Sequence, residues 1–257
     1  MKKKYEKKYE VTYRDADARQ ECHLTSYMDF MADCGMSQEN NLGFSFFDLI
    51  DNNQTWVLYD YNINVYKYAK YRDVLKIVTY VDSIKKFYAV RNFKVYNDKN
   101  ELIVEGKTVA FLIDTIKRKT IMIPQEYYEA YGVDIKTGGV SRTKFKISKL
   151  ENIDYEKNFN VRYIDIDINS HVGNVKYVSW IMETMPIDII KNYRVSHLKI
   201  KYEIEIPYGS DVKAQTEIRQ EEENLIAIHQ ILKDGEVVAF LESNWTKYNV
   251  NLEINKR

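Results

Sequence analysis

The stretch Tyr163-Ile-Asp-Ile-Asp-Ile-Asn-Ser-His-Val-Gly-Asn-Val-Lys-Tyr177 has an earlier counterpart in Tyr13-Arg-Asp-Ala-Asp-Ala-Arg-Gln-Glu-Cys-His-Leu-Thr-Ser-Tyr27. Tyr13, Asp15, Asp17 and Tyr27 return as Tyr163, Asp165, Asp167 and Tyr177 at one constant separation, and Phe30-Met31 fall opposite Trp180-Ile181. A second match follows in the same order: Lys99-Asn100-Glu101-Leu102-Ile103-Val104 stands against Asp234-Gly235-Glu236-Val237-Val238-Ala239. Two collinear matches point to a duplicated unit, and self-similarity of this kind decides the fold before any local assignment does.

Working outward from the repeat, Leu24, Tyr27, Met28, Met31 and Ala32 recur at helical spacing. Val175, Val178, Ile181, Met182 and Met185 do the same before Pro186 stops the helix. Runs rich in β-branched and aromatic residues follow each helix, at 56–66, 74–81, 88–96 and 102–113, then at 198–206, 212–218, 225–232 and 237–246. Asn97-Asp98-Lys99-Asn100 and Lys233-Asp234-Gly235 are hairpin turns between them. Each half is therefore expected to be a short strand, one helix and an antiparallel meander, an α+β architecture without βαβ alternation. The expected boundary near residue 140 makes 1–135 the first domain, 136–155 a linker and 156–257 the second domain.

Composition narrows the function classes. The 257 residues carry 38 Lys+Arg against 38 Asp+Glu, so no global field holds a nucleic acid or an anionic membrane. No apolar run approaches the roughly 18 residues of a membrane span, and the basic N-terminus is not followed by the apolar core of a secretory signal. The expectation is a cytoplasmic protein. Cys22 and Cys34 cannot build a disulfide framework. There is no zinc spacing, no nucleophile elbow and no phosphate- or dinucleotide-binding glycine motif, so neither a metal nor a cofactor is expected.

The polar residues that remain concentrate before the second helix. Asp167, Asn169 and His171 stand two apart, a spacing that projects all three to one side of an extended or loop segment. An Asn amide and the free N–H groups of a helix start are donors for a developing oxyanion. An imidazole moves protons, and a carboxylate holds its tautomer. The same residue types also cap helices, but the first copy keeps only Asp17 and has Arg19 and Glu21 at the other two places. One catalytic half and one scaffold half is the expectation. His23 beside Cys22 reads as packing or capping, and His197 and His229 lie in strand-like runs without polar company.

The second-half motif resembles that of the acyl-ACP thioesterases of plants and bacteria, whose hallmark is Trp-Ser-Asp-x-Asp-x-Asn-x-His-x-Asn-Asn-x-Lys-Tyr. Here it runs from Tyr163 to Tyr177, followed by Trp180 and Glu183, with Tyr163-Ile164 in place of Trp-Ser and Gly173 in place of an Asn. Lys117-Arg118-Lys119 before Ile123-Pro124, and Tyr71-Arg72-Asp73-Val74, are further family-like features. The resemblance implies two tandem hotdog domains, each a long helix wrapped by an antiparallel sheet. It further implies hydrolysis of fatty acyl thioesters on acyl carrier protein, with a catalytic network of Asp167, Asn169, His171 and a later Glu. Glu205 fits the plant pattern of a Glu before a Cys, although the next residue here is Ile206. Period-two alternation of Leu198, Ile200, Tyr202, Ile204 and Ile206 puts Glu205 on a polar face beside Glu203, so the resemblance alone selects Glu205.

The role of water activator is open between Glu205 and His171, and so is direct carboxylate attack. The first half is expected to house the acyl chain, around its helix and Trp56. Lys176, Lys191, Arg194, Lys199 and Lys201 are the cations expected to meet an acidic carrier protein. Alternatives are an acyl-CoA thioesterase, a non-catalytic acyl-binding hotdog and a hotdog dehydratase, and the assembly is a monomer or a homodimer.

Overall fold

The computed structural model describes residues 2–138 and 144–248. The chain forms two compact units, Met1–Phe145 and Lys146–Arg257. Unit 1 contains β1 (Tyr5–Glu10), α1 (Leu24–Asn41), α2 (Phe46–Asp51), β2 (Gln54–Val65), β3 (Val74–Lys85), β4 (Tyr88–Tyr96), β5 (Leu102–Asp114), β6 (Lys119–Thr120) and α3 (Gln125–Tyr131). Unit 2 contains β7 (Tyr155–Asn160), α4 (Asn174–Thr184), α5 (Ile187–Asn192), β8 (Tyr193–Tyr202), β9 (Asp211–Glu221), β10 (Asn224–Lys233) and β11 (Glu236–Lys247).

The sheet of unit 1 runs β1-β3-β4-β5-β2, all antiparallel, with β6 on β5, and that of unit 2 runs β7-β9-β10-β11-β8. The strand order is the same in both, as the duplication leads one to expect, and each long helix lies across its sheet, the hotdog arrangement that the resemblance implies. The duplication extends to side chains. Tyr9 on β1 stacks on Phe30 of α1, and Phe159 on β7 stacks on Trp180 of α4. Lys7 pairs with Asp33, and Lys157 with Glu183. In each unit an aromatic pair and an ion pair therefore hold the first strand to the long helix.

The core of unit 1 lies between α1 and the sheet, where Leu24, Tyr27, Met28, Met31 and Cys34 are buried at helical spacing. A Cβ at Gly106 in β5 would stand 2.8 Å from the Met31 sulfur and 3.2 Å from the Tyr61 ring. A side chain at that position would have to displace the Met31 thioether. A second apolar cluster gathers Leu49, Ile84, Leu112, Ile123 and Tyr127, with Phe44 and Trp56 packed against it.

In unit 2 the core includes one polar chain. His229 on β10 bonds Thr216 of β9 through Nδ1 (2.8 Å) and Ser243 of β11 through Nε2 (2.9 Å). The Trp245 indole donates to Ser243, Thr216 lies 2.5 Å from Thr184 at the end of α4, and Thr184 donates to the Ile181 carbonyl. An indole nitrogen is only a donor and a carbonyl only an acceptor. The direction of every link follows: the hydrogen sits on Nδ1 of His229 and Nε2 accepts. The expectation that His229 lacks polar company is thus wrong, because its partners come from neighbouring strands whose register the sequence does not display. Burial lowers its pKa to about 3, so the ring is neutral.

Three other expectations change. The strand expected at 198–206 begins at Tyr193 and stops at Tyr202. Three short helices, α2, α3 and α5, lie outside the expected elements. Of the linker expected at 136–155, residues 139–143 lie outside the described residues. The amides of Ser148, Glu151 and Asn152 in the following segment are bonded to the carboxylates of Glu242 and Glu217. No helix is long and apolar enough to cross a membrane among the described residues.

Candidate active site

The site is built on a five-residue hairpin. After β7, the Asp165 carboxylate accepts the Arg162 N–H (3.0 Å) and closes a single 3-10 turn over Tyr163–Asp165. The chain then doubles back. Ile166 pairs with Val172, the Asp167 N–H donates to the His171 carbonyl (2.9 Å), and the Ser170 N–H donates to the Asp167 carbonyl (3.0 Å). Ser170 adopts φ 65°, the left-handed residue that completes a three-residue hairpin loop. A non-glycine residue there carries backbone strain of about 1 kcal/mol. Asp167 also accepts the Asn169 N–H (2.8 Å), with the Asn169 side-chain amide 3.4 Å from its other oxygen. A tight turn therefore brings Asp167, Asn169 and His171 together, with Asp167 and His171 closing it and Asn169 in the loop.

Asp165 anchors this turn to the helix. Its buried carboxylate pairs with Arg162 (3.0 Å) and with Lys176 of α4 (3.1 Å). Burial opposes its ionisation, but the Arg162 and Lys176 partners prevail and hold its pKa at about 2. The Gly173 N–H donates to the Asp165 carbonyl, and α4 starts at the next residue without a side-chain cap.

Glu205 arrives from the loop after β8. The strand alternation ends at Tyr202, because the N–H groups of Glu203 and Ile204 both point at the Val238 carbonyl. Beyond that bulge the alternation breaks: Ile204 is exposed while Ile206 is buried, and Glu205 is only partly exposed, its carboxylate 3.4 Å from Nε2 of His171. The polar-face expectation for Glu205 is corrected here, and Glu203 instead pairs with Lys201. His171 and Glu205 are each about one-third exposed (33% and 32%), so the pair is in contact with solvent.

Three hydrogen bonds pin the residues beside Glu205. Tyr202 donates its hydroxyl to the Asn174 carbonyl (3.1 Å), Tyr177 donates to the Ile204 carbonyl (3.4 Å), and Ile206 accepts from the Val172 N–H (2.9 Å). Tyr177 is buried, and burial, followed by the charges of Glu205 and Asp167, raises its pKa. Neither tyrosine was read as part of the site, although Tyr177 belongs to the repeated motif and its recurrence was the available signal. His23 occupies the position before α1 with no side-chain cap, and Cys22 is buried. Of the cations expected to meet a carrier, Lys176, Lys199 and Lys201 pair with Asp165, Glu242 and Glu203, and Arg194 lies over Tyr248.

Comparison with known proteins follows the same division. The acyl-ACP thioesterase N-terminal domain family matches residues 2–131, and the acyl-ACP thioesterase C-terminal domain family matches residues 148–247. A palmitoyl-acyl carrier protein thioesterase of Gossypium hirsutum is 25% identical over 178 residues, covering 66% of this chain and 43% of that protein. The dodecanoyl-[acyl-carrier-protein] hydrolase of Umbellularia californica is 25% identical over 200 residues, covering 74% and 52%. The chain thus spans about half the length of these curated relatives. Among solved structures, a Lactobacillus plantarum protein provisionally assigned as an oleoyl thioesterase superposes with a TM-score of 0.92 at 22% identity, covering 97% of this chain and 98% of that one. The 12:0-ACP thioesterase from Umbellularia californica superposes at 0.83 and 18% identity, covering 95% and 98%. With a family model matched to each half, the chain belongs to the acyl-ACP thioesterase family.

Proposed function

We propose that the protein hydrolyses fatty acyl thioesters of acyl carrier protein, releasing the free fatty acid and the carrier thiol. The observation that carries this reading is the approach of Nε2 of His171 to the Glu205 carboxylate, 3.4 Å apart, from two loops pinned to each other. In the proposed reaction Glu205 takes a proton from water as its oxygen attacks the thioester carbonyl. The tetrahedral oxyanion forms beside the Asn169 amide and the first amides of α4. A donor of that kind contributes about 3 kcal/mol to transition-state binding. Collapse breaks the C–S bond, and the proton taken up by Glu205 passes to His171 and from it to the departing thiolate, which restores both groups. Asp167 acts through Asn169, whose amide it holds, and is a positioning residue. Asp17 makes the same backbone bond where no trio exists, which supports that division of roles.

Unit 1 takes the acyl chain in this reading, against the aromatic and aliphatic cluster of Phe44, Trp56, Tyr127 and Leu112. The test is thiol release from dodecanoyl- and palmitoyl-loaded carrier protein. Stoichiometric release of thiol and fatty acid is expected. Binding without release, or hydration of an enoyl carrier without release, overturns the proposal in favour of an acyl-binding protein or a dehydratase.

A further inference from the structure

One end of unit 1 gathers cations from three separate turns. The β3–β4 turn brings Lys85 and Lys86, the β5–β6 turn Lys117, Arg118 and Lys119, and the segment after α3 brings Lys136. Backbone bonds hold these turns together: Ile123 N–H to the Lys86 carbonyl, Leu112 N–H to the Phe87 carbonyl and Ile84 N–H to the Gly138 carbonyl. Lys85 also donates to the Thr137 carbonyl. The acids among them are occupied. Asp114 accepts the amides of Ile116 and Lys117 and pairs with Lys117, and Asp134 accepts the Lys136 amide. Large apolar side chains stand exposed within the same turns: Ile116 at 74%, Met122 at 62% and Ile135 at 51%.

The duplicate supplies an internal control. The β9–β10 turn of unit 2, which corresponds to the β3–β4 turn, reads Glu221-Glu222-Glu223 where unit 1 has Lys85-Lys86-Phe87. Two copies of one fold have opposite charge at the same place, so neither fold nor solubility demands the cations.

We infer that this end of unit 1 docks the acyl carrier protein itself, its acidic helical surface on the lysines and its apolar residues on Ile116, Met122 and Ile135. The inference rests on the thioesterase reading above and names the partner's landing surface. Exposed cations around an apolar centre steer an acidic partner and fix its register, an attraction that salt weakens.

The experiment titrates carrier protein bearing a dodecanoyl chain through a non-hydrolysable amide onto the wild type and the variant K86E/K119E/K136E. At low salt the variant is expected to bind about tenfold more weakly, with a shallower salt dependence. Turnover of uncharged dodecanoyl-pantetheine should stay within about twofold, which also reports that the variant is folded. The reciprocal variant E222K/E223K should leave carrier affinity within about twofold. Unchanged carrier affinity in the triple variant, or an equal loss in the reciprocal one, overturns the docking surface. If the wild type releases no thiol from any ester, the catalytic reading fails while the titration still reads the surface.

Discussion

At residues 17–21 and 167–171 the two units fold the same turn. Asp17 donates its N–H to the Glu21 carbonyl at 2.8 Å where Asp167 donates to His171 at 2.9 Å, and Gln20 and Ser170 are left-handed at φ 60° and 65°. Each turn donates one amide to a later loop, Cys22 to the Ala69 carbonyl and Val172 to the Ile206 carbonyl, both 2.9 Å, and in unit 1 the Tyr71 N–H adds a bond back to the Gln20 carbonyl at 2.8 Å. What the turns hold out is reversed in sign. Unit 1 presents the buried Glu21, ion-paired at 2.8 Å with Lys70 of its later loop, while unit 2 presents an imidazole facing a carboxylate of its own. Duplication thus preserved the backbone device and left the side chains free to diverge. One pair buries its acid against a solvated lysine, and the other leaves both of its groups partly exposed.

The sharpest way to break the comparison is to remove the reactive groups one unit at a time. Glu205→Ala and His171→Ala are expected to lower kcat on dodecanoyl carrier about 10²- to 10⁴-fold, the range for a positioned acid or base. Glu21→Ala should leave kcat within about twofold, because its partner Lys70 is solvated. Comparable losses at Glu21 would mean that both turns work.

The next contrast lies in the cores. Thr216 faces His229 across β9 and β10, whereas Thr79 faces Phe93 across β3 and β4. His229 has a folded pKa of about 3 against an ordinary 6.5, so its neutral form is favoured by folding. Its contribution is complete above pH 6.5 and is lost as the pH falls from 6.5 towards 3, by roughly 1.4 kcal/mol per pH unit. Urea unfolding at pH 7 and pH 5 should show a loss of about 2 kcal/mol from this group, and that increment should vanish in His229→Gln. An undiminished acid loss in the variant would assign the effect to other groups.

The smallest effect sharpens the role of the clamp. Tyr177 bonds the Ile204 carbonyl beside Glu205, while its counterpart Tyr27 accepts the Ala69 N–H. Tyr177→Phe should lower kcat about tenfold with little change in KM, since it acts through Glu205. Tyr27→Phe should cost stability and spare kcat. A lower KM without loss of kcat in Tyr177→Phe would remove it from the positioning role.

Much of this was legible in the residues alone. The repeat exposed the two units, and turn chemistry placed the hairpins, with Asp234 and Gly235 at the expected positive φ. What escaped had local causes. Helices α2, α3 and α5 are six, seven and six residues long, too short to show a period. Period-two counting left Glu205 on a polar face, so that the resemblance alone selected it, because such counting assumes an unbroken strand, and the bulge at Glu203–Ile204 is set by Val238 on a different strand. His229 did lie on an inward position of β10, but Thr216 and Ser243 become its partners only once register is known.

The hydroxyl relay through unit 2 has one further consequence. Its direction is imposed at one extremity: the Ile181 carbonyl takes the Thr184 hydrogen, so Thr216 donates to Thr184 and accepts from Nδ1 of His229. A neutral ring with its hydrogen on Nδ1 then takes the Ser243 hydrogen at Nε2, and the Ser243 oxygen has room for the Trp245 indole in either sense. The last turn of α4, the helix that carries Tyr177, thereby selects the tautomer of a ring rooted on β10, and a substitution at Trp245 would leave that tautomer in place.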